Sequence, residues 1–192
     1  MRTVAEPAKQ VPSRVILGID PGTVVTGWGV VQATGGVLHH LGHGTVNSAH
    51  SEPQTARLSR IYQALGEVLR EYRPDGVSLE RVFFAQNVQS ALKLGQARGV
   101  ALLAAAMERI DVHEYSAVEI KSAVVGFGHA TKQQVQMMIG SLLRVADKVP
   151  VDAADALAAA ICHLHRQNFQ ARVADAMPKK PSSLRPRGTI LR

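Results

Sequence analysis

A chain of 192 residues, 46% of them hydrophobic, is long enough to bury one compact core and short for two domains. Its mean hydropathy is near zero, and its longest nearly apolar stretch, Gly99 to Met107, falls far short of the roughly 20 residues that cross a bilayer. A membrane-spanning class is excluded, and a soluble protein is expected. Residues Met1 to Arg14 lack the apolar run of a secretory signal, and a lone cysteine, Cys162, has no partner for an internal bridge. Within the Ala-rich run around it, Cys162 reads as a small buried apolar residue, and the expected compartment is the cytoplasm.

The formal charge of +7 suits a polyanionic partner such as nucleic acid. Lys179, Lys180, Arg185, Arg187 and Arg192 lie in a terminal stretch that has no acid. Recognition therefore falls to local patches on the body, with the tail either adding unspecific attraction or serving as a solvated terminus.

The apolar run Arg14 to Asp20 ends in an acid followed by Pro21-Gly22, a buried strand entering a turn. Runs at Thr26–Val31 and Val37–Val46 follow closely, which predicts an antiparallel meander. From Ala56 to Tyr72, apolar residues at Leu58, Ile61, Leu65, Val68 and Leu69 keep helical spacing until Pro74 stops the pattern. Gly76–Glu80 is another short strand ending in an acid. A long helix begins near Asn87, and its Gly95 and Gly99 suggest close approach to another backbone, either the sheet or a partner. Ile110–Tyr115 reads as a strand. Thr131-Lys-Gln-Gln134 has the form of a capping box before an apolar face at Val135, Met138, Ile139 and Leu142. A last, Ala-rich helix is expected from about Asp152 to His165, lean enough to lie close on a sheet. The sum is an α/β chain with a mixed sheet of about five strands flanked by helices. Residues 1–13 read as a flexible extension, 14–167 as the folded domain and 168–192 as a basic, disordered tail.

Asp20 and Glu80 each close a strand, so neighbouring strands bring the two carboxylates together. Asp152 and Asp155, three apart, share nearly one helix face about 4.5 Å apart along the axis. Four clustered carboxylates need cations, and an all-oxygen set suits Mg²⁺ or Mn²⁺. Such a pair of ions supports in-line phosphodiester hydrolysis. Each acid also has a plain reading: Asp152 as an N-cap, Asp155 as a first-turn acid, Asp20 as a turn former, and Glu80 as a strand-end partner of Arg81.

Taken together, Ile16-Leu-Gly-Ile-Asp-Pro-Gly22 with Thr26-Gly27, Glu80-Arg-Val-Phe-Phe84, Ser90 to Gly99, Lys121 with Val124-Val-Gly126, and Asp152-Ala-Ala-Asp-Ala-Leu157 resemble the RuvC family of crossover junction endodeoxyribonucleases. The resemblance runs in order from about Arg14 to His165. It implies a ribonuclease H-like fold, a homodimer, four-way (Holliday) junction DNA as substrate in recombination and repair, and paired nicks dependent on Mg²⁺ or Mn²⁺, two ions per site. The family's metal-binding, catalytic acids fall on Asp20, Glu80, Asp152 and Asp155. Its junction-stacking aromatic falls on Phe83, and its basic residues fall on Lys121 and Lys132. A branch-migration motor is the further partner that the resemblance suggests. One departure is Gln86, where the family pattern usually has Lys. The pair His163 and His165 reads as surface histidines beyond the last helix. Two other functions stay in view: an ATP-dependent phosphotransferase of the sugar kinase and actin type, from Asp20-Pro-Gly-Thr23, and a non-catalytic junction-binding module.

Overall fold

Strand β1 (Ser13–Asp20) is the centre of a mixed five-stranded sheet. Its partner β2 (Val25–Thr34) runs antiparallel to it, and β3 (Val37–Asn47) continues the meander to one edge. On the other side β4 (Gly76–Glu80) and β5 (Val112–Tyr115) are both parallel, giving the order β3-β2-β1-β4-β5. The structure, a computed structural model, describes residues 13–81, 88–146 and 148–176. Phe83 and Gln86 lie outside the described residues.

Period-two alternation along β1 sorts its side chains to two cores. Leu17 and Ile19 join Ile61, Leu65 and Leu69 of helix α1 (Gln54–Tyr72) and the alanines of α2 (Val88–Met107). Ile16 joins the opposite core, built on α3 (Ala117–Val125), α4 (Lys132–Leu143) and α5 (Val151–Ala176). Gly18 and Asp20 follow Ile16 on that face, so the acid at the end of β1 looks toward α5.

The Ala-rich α5 lies on the sheet at backbone contact. A Cβ built on Gly18 would stand 1.8 Å from the carbonyl oxygen of Ala156, and one on Gly27 would stand 2.0 Å from that of Asp152. Both positions must be glycine for the helix to sit there. Ser78 of β4 ties the same helix down, its buried hydroxyl donating to the Ala159 carbonyl at 2.7 Å.

Three local expectations change. Helix α3 was not predicted, although Ser116 and Glu119 form a complete capping box at its start. Helix α5 runs to Ala176, beyond His165 and into the stretch read as tail, because Gln, Ala and Arg sustain a helix after it leaves the core. Gly95 and Gly99 are exposed, with nothing within 4 Å of a built Cβ, so α2 does not use them against its own sheet.

His163 is corrected as well. It lies inside α5, is buried, stacks on His113 and shares a 2.7 Å hydrogen bond between its Nδ1 and the Tyr115 hydroxyl. Burial, then the charges of His113 and Arg14, lower its pKa from 6.5 to about 4. A ring kept neutral in this way stabilises the fold fully above pH 6.5 and loses that contribution as pH falls through 4, which amounts to about 3 kcal/mol. Thermal melts of the metal-free protein should show this loss on acidification. In His163→Phe the melting curve should be lower at pH 7.5, where the Tyr115 hydroxyl is left unpaired, and flatter between pH 6.5 and 4. An unchanged acid limb in the variant would place the titrating group elsewhere.

Candidate active site

The C-terminal ends of β1 and β4 are neighbours, so Asp20 and Glu80 leave the sheet side by side. The turn after Asp20 is held by Thr26, which is fully buried: its hydroxyl donates to the Gly22 carbonyl at 2.6 Å and accepts from the Gly22 N–H at 3.2 Å. Above them the first turns of α5 bring Asp155 into the same cleft. This cleft of about 480 Å³ is lined by Asp20, Glu80 and Asp155, by Arg81, Lys121 and Lys132, and by apolar groups that include Leu94 and Ile120.

Three elements thus deliver three of the four predicted acids to one cavity. Asp152 sits one turn earlier on α5, outside the lining but close enough for its charge to act on Asp20. Lys132, at the start of α4 and positioned by the Thr131–Gln134 capping box, extends its ammonium to 3.1 Å from the Asp155 carboxylate. Lys121 comes from α3. Phe83 lies outside the described residues.

The electrostatics are those of crowded like charges. Burial, then Asp155, Glu80 and Asp152, push the Asp20 carboxyl up to about 7, with Lys132 pulling the other way. Burial and Asp155 also hold Glu80 above the ordinary carboxylate range, against Lys132 and Lys121. The Asp155 carboxylate, through its hydrogen bond and charge, raises Lys132 and keeps it protonated. Among the described residues, no three potential ligands are already drawn into a closed metal cage. The donor set nonetheless fits a hard divalent cation. It offers only carboxylate oxygens, and a cation among them would offset the burial and the neighbouring charges that keep Asp20 protonated near neutrality.

Sequence reasoning missed the glycines of β1 and β2 that admit α5, and it missed the place of Arg81. The plain reading of that residue was an ion pair with Glu80. The structure turns its guanidinium across the sheet instead, where it donates to the Glu114 carbonyl at 3.2 Å and lines the cleft.

Comparison with known proteins agrees with this geometry. The family model described as crossover junction endodeoxyribonuclease RuvC matches residues 16–163. The crossover junction endodeoxyribonuclease RuvC of Geobacter metallireducens is 49% identical over 148 residues, covering 77% of this chain and 90% of that protein. The corresponding protein of Geotalea uraniireducens is 51% identical over 148 residues, covering 77% and 86%. Among solved structures, T. thermophilus RuvC in complex with Holliday junction substrate superposes with a TM-score of 0.78 at 34% identity, covering 82% of this chain and 96% of that one. With the five-stranded mixed sheet, the acids at its strand ends and a match over most of its length, the chain belongs to the RuvC family of crossover junction endodeoxyribonucleases.

Proposed function

We propose that this chain is a structure-selective endonuclease that resolves four-way DNA junctions by paired phosphodiester hydrolysis in opposing strands, in recombination and repair, with 14–167 as its nuclease domain. The observation that carries the reading is the convergence of Asp20, Glu80 and Asp155 from β1, β4 and α5 on one cleft flanked by lysines, in a member of this family. The junction held by the T. thermophilus relative supports the choice of substrate. The phosphotransferase reading of Asp20-Pro-Gly-Thr23 is not favoured, because the family match spans that motif and its relatives are endonucleases. A binding-only module is not favoured either, since all four acids are present.

In this reading Asp20, Glu80, Asp152 and Asp155 hold Mg²⁺ or Mn²⁺, two ions per site. When bound, the ions lower the pKa of the attacking water and offset charge on the leaving oxygen. The chain's own contributions are positional and electrostatic. The carboxylates, rigidly set on strand ends and a helix, fix where the cations and hence the phosphate lie. Lys132 orients Asp155 through their ion pair, and Lys121 and Lys132 together balance the negative charge that grows at phosphorus. A water oxygen bonds to phosphorus as the bond to the leaving sugar oxygen breaks. Phe83 is assigned to stacking on an unpaired base at the junction centre.

Paired cuts call for a homodimer, and α2 offers a surface for one. Val88, Leu92, Leu103 and Met107 are 76%, 64%, 53% and 64% exposed, with Gly95 and Gly99 between them. An apolar stripe with glycines at its middle admits a close second helix. Among the described residues no helix is long and apolar enough to cross a membrane, and we assign the protein to the cytoplasm. A branch-migration motor is the further partner in this reading.

The test is incubation with a labelled four-way junction and a matched linear duplex in Mg²⁺ and in Mn²⁺, with products resolved on a denaturing gel. Symmetric nicks in the junction, little cutting of the duplex and abolition by chelation are expected. Full activity after exhaustive chelation would contradict the carboxylate mechanism. Robust ATP turnover without DNA would return the phosphotransferase.

A further inference from the structure

Helix α1 carries an arginine where its pattern calls for an apolar residue. Ile61 and Leu65, 1% and 0% exposed, face the core, and one turn before them on the same stripe stands Arg57, itself 8% exposed. Its Nε is buried without a partner, and among the described residues neither a hydrogen bond nor an ion pair reaches its guanidinium. Glu52 is near enough to feel its charge, but that carboxylate is already held by Arg60, at 2.8 and 3.0 Å. The helix start favours an anion as well. Pro53 caps it without a side-chain bond and its first turn has no acid, so the positive end of the helix dipole is not offset there. This place is at the acid end of the sheet. On the link from β3 to α1, the Ser48 N–H donates to the Val24 carbonyl at 2.8 Å, in the turn that follows Asp20. Gln54 donates its amide to Gln96 of α2 at 3.1 Å, two residues beyond Leu94, which lines the catalytic cleft.

A desolvated guanidinium without a counter-ion is costly, and its planar fork matches the oxygens of a phosphate. We propose that Arg57, with the start of α1, is a binding site for a backbone phosphate of the DNA, on the α1–α2 side of the strand ends. Arg57 does not line the cleft of the acids, so this phosphate is a different one from the phosphate being cut. The DNA supplies the anion that the fold itself omits, and Arg60 keeps Glu52 from taking its place. This inference rests on the nuclease reading above and adds a substrate contact to it.

Two substitutions separate a phosphate site from a strut of the core. Arg57→Met removes the charge from a position on the core face, and Arg57→Lys keeps the charge without the fork. Equilibrium binding to a four-way junction is measured from low to high NaCl in Ca²⁺, a hard cation used in place of the metal that supports cutting, and log K is plotted against log salt. One phosphate contact contributes a slope of about 0.7–0.9. Arg57→Met should therefore flatten the slope by that amount and weaken binding roughly ten-fold at 0.1 M salt. Without DNA it should melt at or above the wild-type temperature, because a buried charge with no partner has been taken away. Arg57→Lys should keep the wild-type slope and most of the affinity. A wild-type slope in Arg57→Met would overturn the proposal. So would an Arg57→Met protein that melts well below wild type without DNA, since the guanidinium would then serve the fold itself. Failure of the wild-type protein to bind junctions at any salt would overturn the nuclease reading instead, so the two failures are distinguishable.

Discussion

Asp20→Asn should abolish junction cleavage, by about a thousand-fold or more, and at the same time make the metal-free protein more stable at pH 8. The loss follows from removing a carboxylate that sits between Glu80 and the acids of α5 and, in the proposed mechanism, binds the metal. The gain follows from linkage. In the folded chain Asp20 is raised to about 7 from 3.8, first by burial and then by Asp155, Glu80 and Asp152. A carboxyl whose folded pKa lies above its unfolded value makes stability fall as pH rises from about 4 to 7, and the full penalty, about 4 kcal/mol, stands above 7. An uncharged amide does not carry that penalty. Melts in chelator should therefore show the advantage of the variant growing from pH 4 to pH 8. Saturating Mg²⁺ should shrink it, because the ion stabilises the ionised wild-type site by mass action. Wild-type cleavage by Asp20→Asn, or a variant less stable than wild type at pH 8 in chelator, would remove Asp20 from the proposed site. The acid-range loss assigned to His163 runs in the opposite direction over part of this pH range, so the wild-type profile should be flatter than either group alone would make it.

Gly27→Ala should damage activity severely, though less than Asp20→Asn, through packing alone. The new methyl meets the Asp152 carbonyl at 2.0 Å and the Ala153 nitrogen at 2.9 Å, both backbone atoms that cannot swing aside. Helix α5 must lift, and Asp152 and Asp155 lift with it. Overpacking of this kind costs about 1–3 kcal/mol, which for a chain of this size lowers the melting temperature by roughly 2–12 °C. Displacing catalytic groups by about 1 Å costs on the order of a hundred-fold in rate. Gly18→Ala, against Ala156, should behave alike. Single-turnover cleavage and thermal melts of both variants check this. Full activity at an unchanged melting temperature would mean that α5 does not rest on these glycines.

Much of the fold was legible in the residues. The meander, the amphipathic α1, the acid-terminated strands and the capped α4 all rest on local patterns: alternation, 3.6-residue spacing, a proline stop and a Thr-x-x-Gln box. Helix α3 carried an equally local box at Ser116 and Glu119, but its nine residues have too short an apolar pattern to stand out. The end of α5 was misplaced because apolar periodicity reports burial, and the helix continues past the core to Ala176 on propensity alone.

The candidate site divides in the same way. The candidacy of Asp20, Glu80, Asp152 and Asp155, carried by the resemblance more than by spacing, and the preference of an all-carboxylate set for a hard cation were legible in the sequence by itself. The convergence of Asp20, Glu80 and Asp155 on one cleft was decided by the tertiary structure. It depends on β4 joining β1 in parallel and on Gly18 and Gly27 yielding their side-chain space to the alanines of α5. Burial of His163, exposure of Gly95 and Gly99, and the turn of Arg81 toward Glu114 belong to the same class. Chain spacing sets which residues can face one another within a helix or a strand. Which faces then meet is set by packing between elements far apart in the chain, where a missing Cβ is worth more than any local propensity.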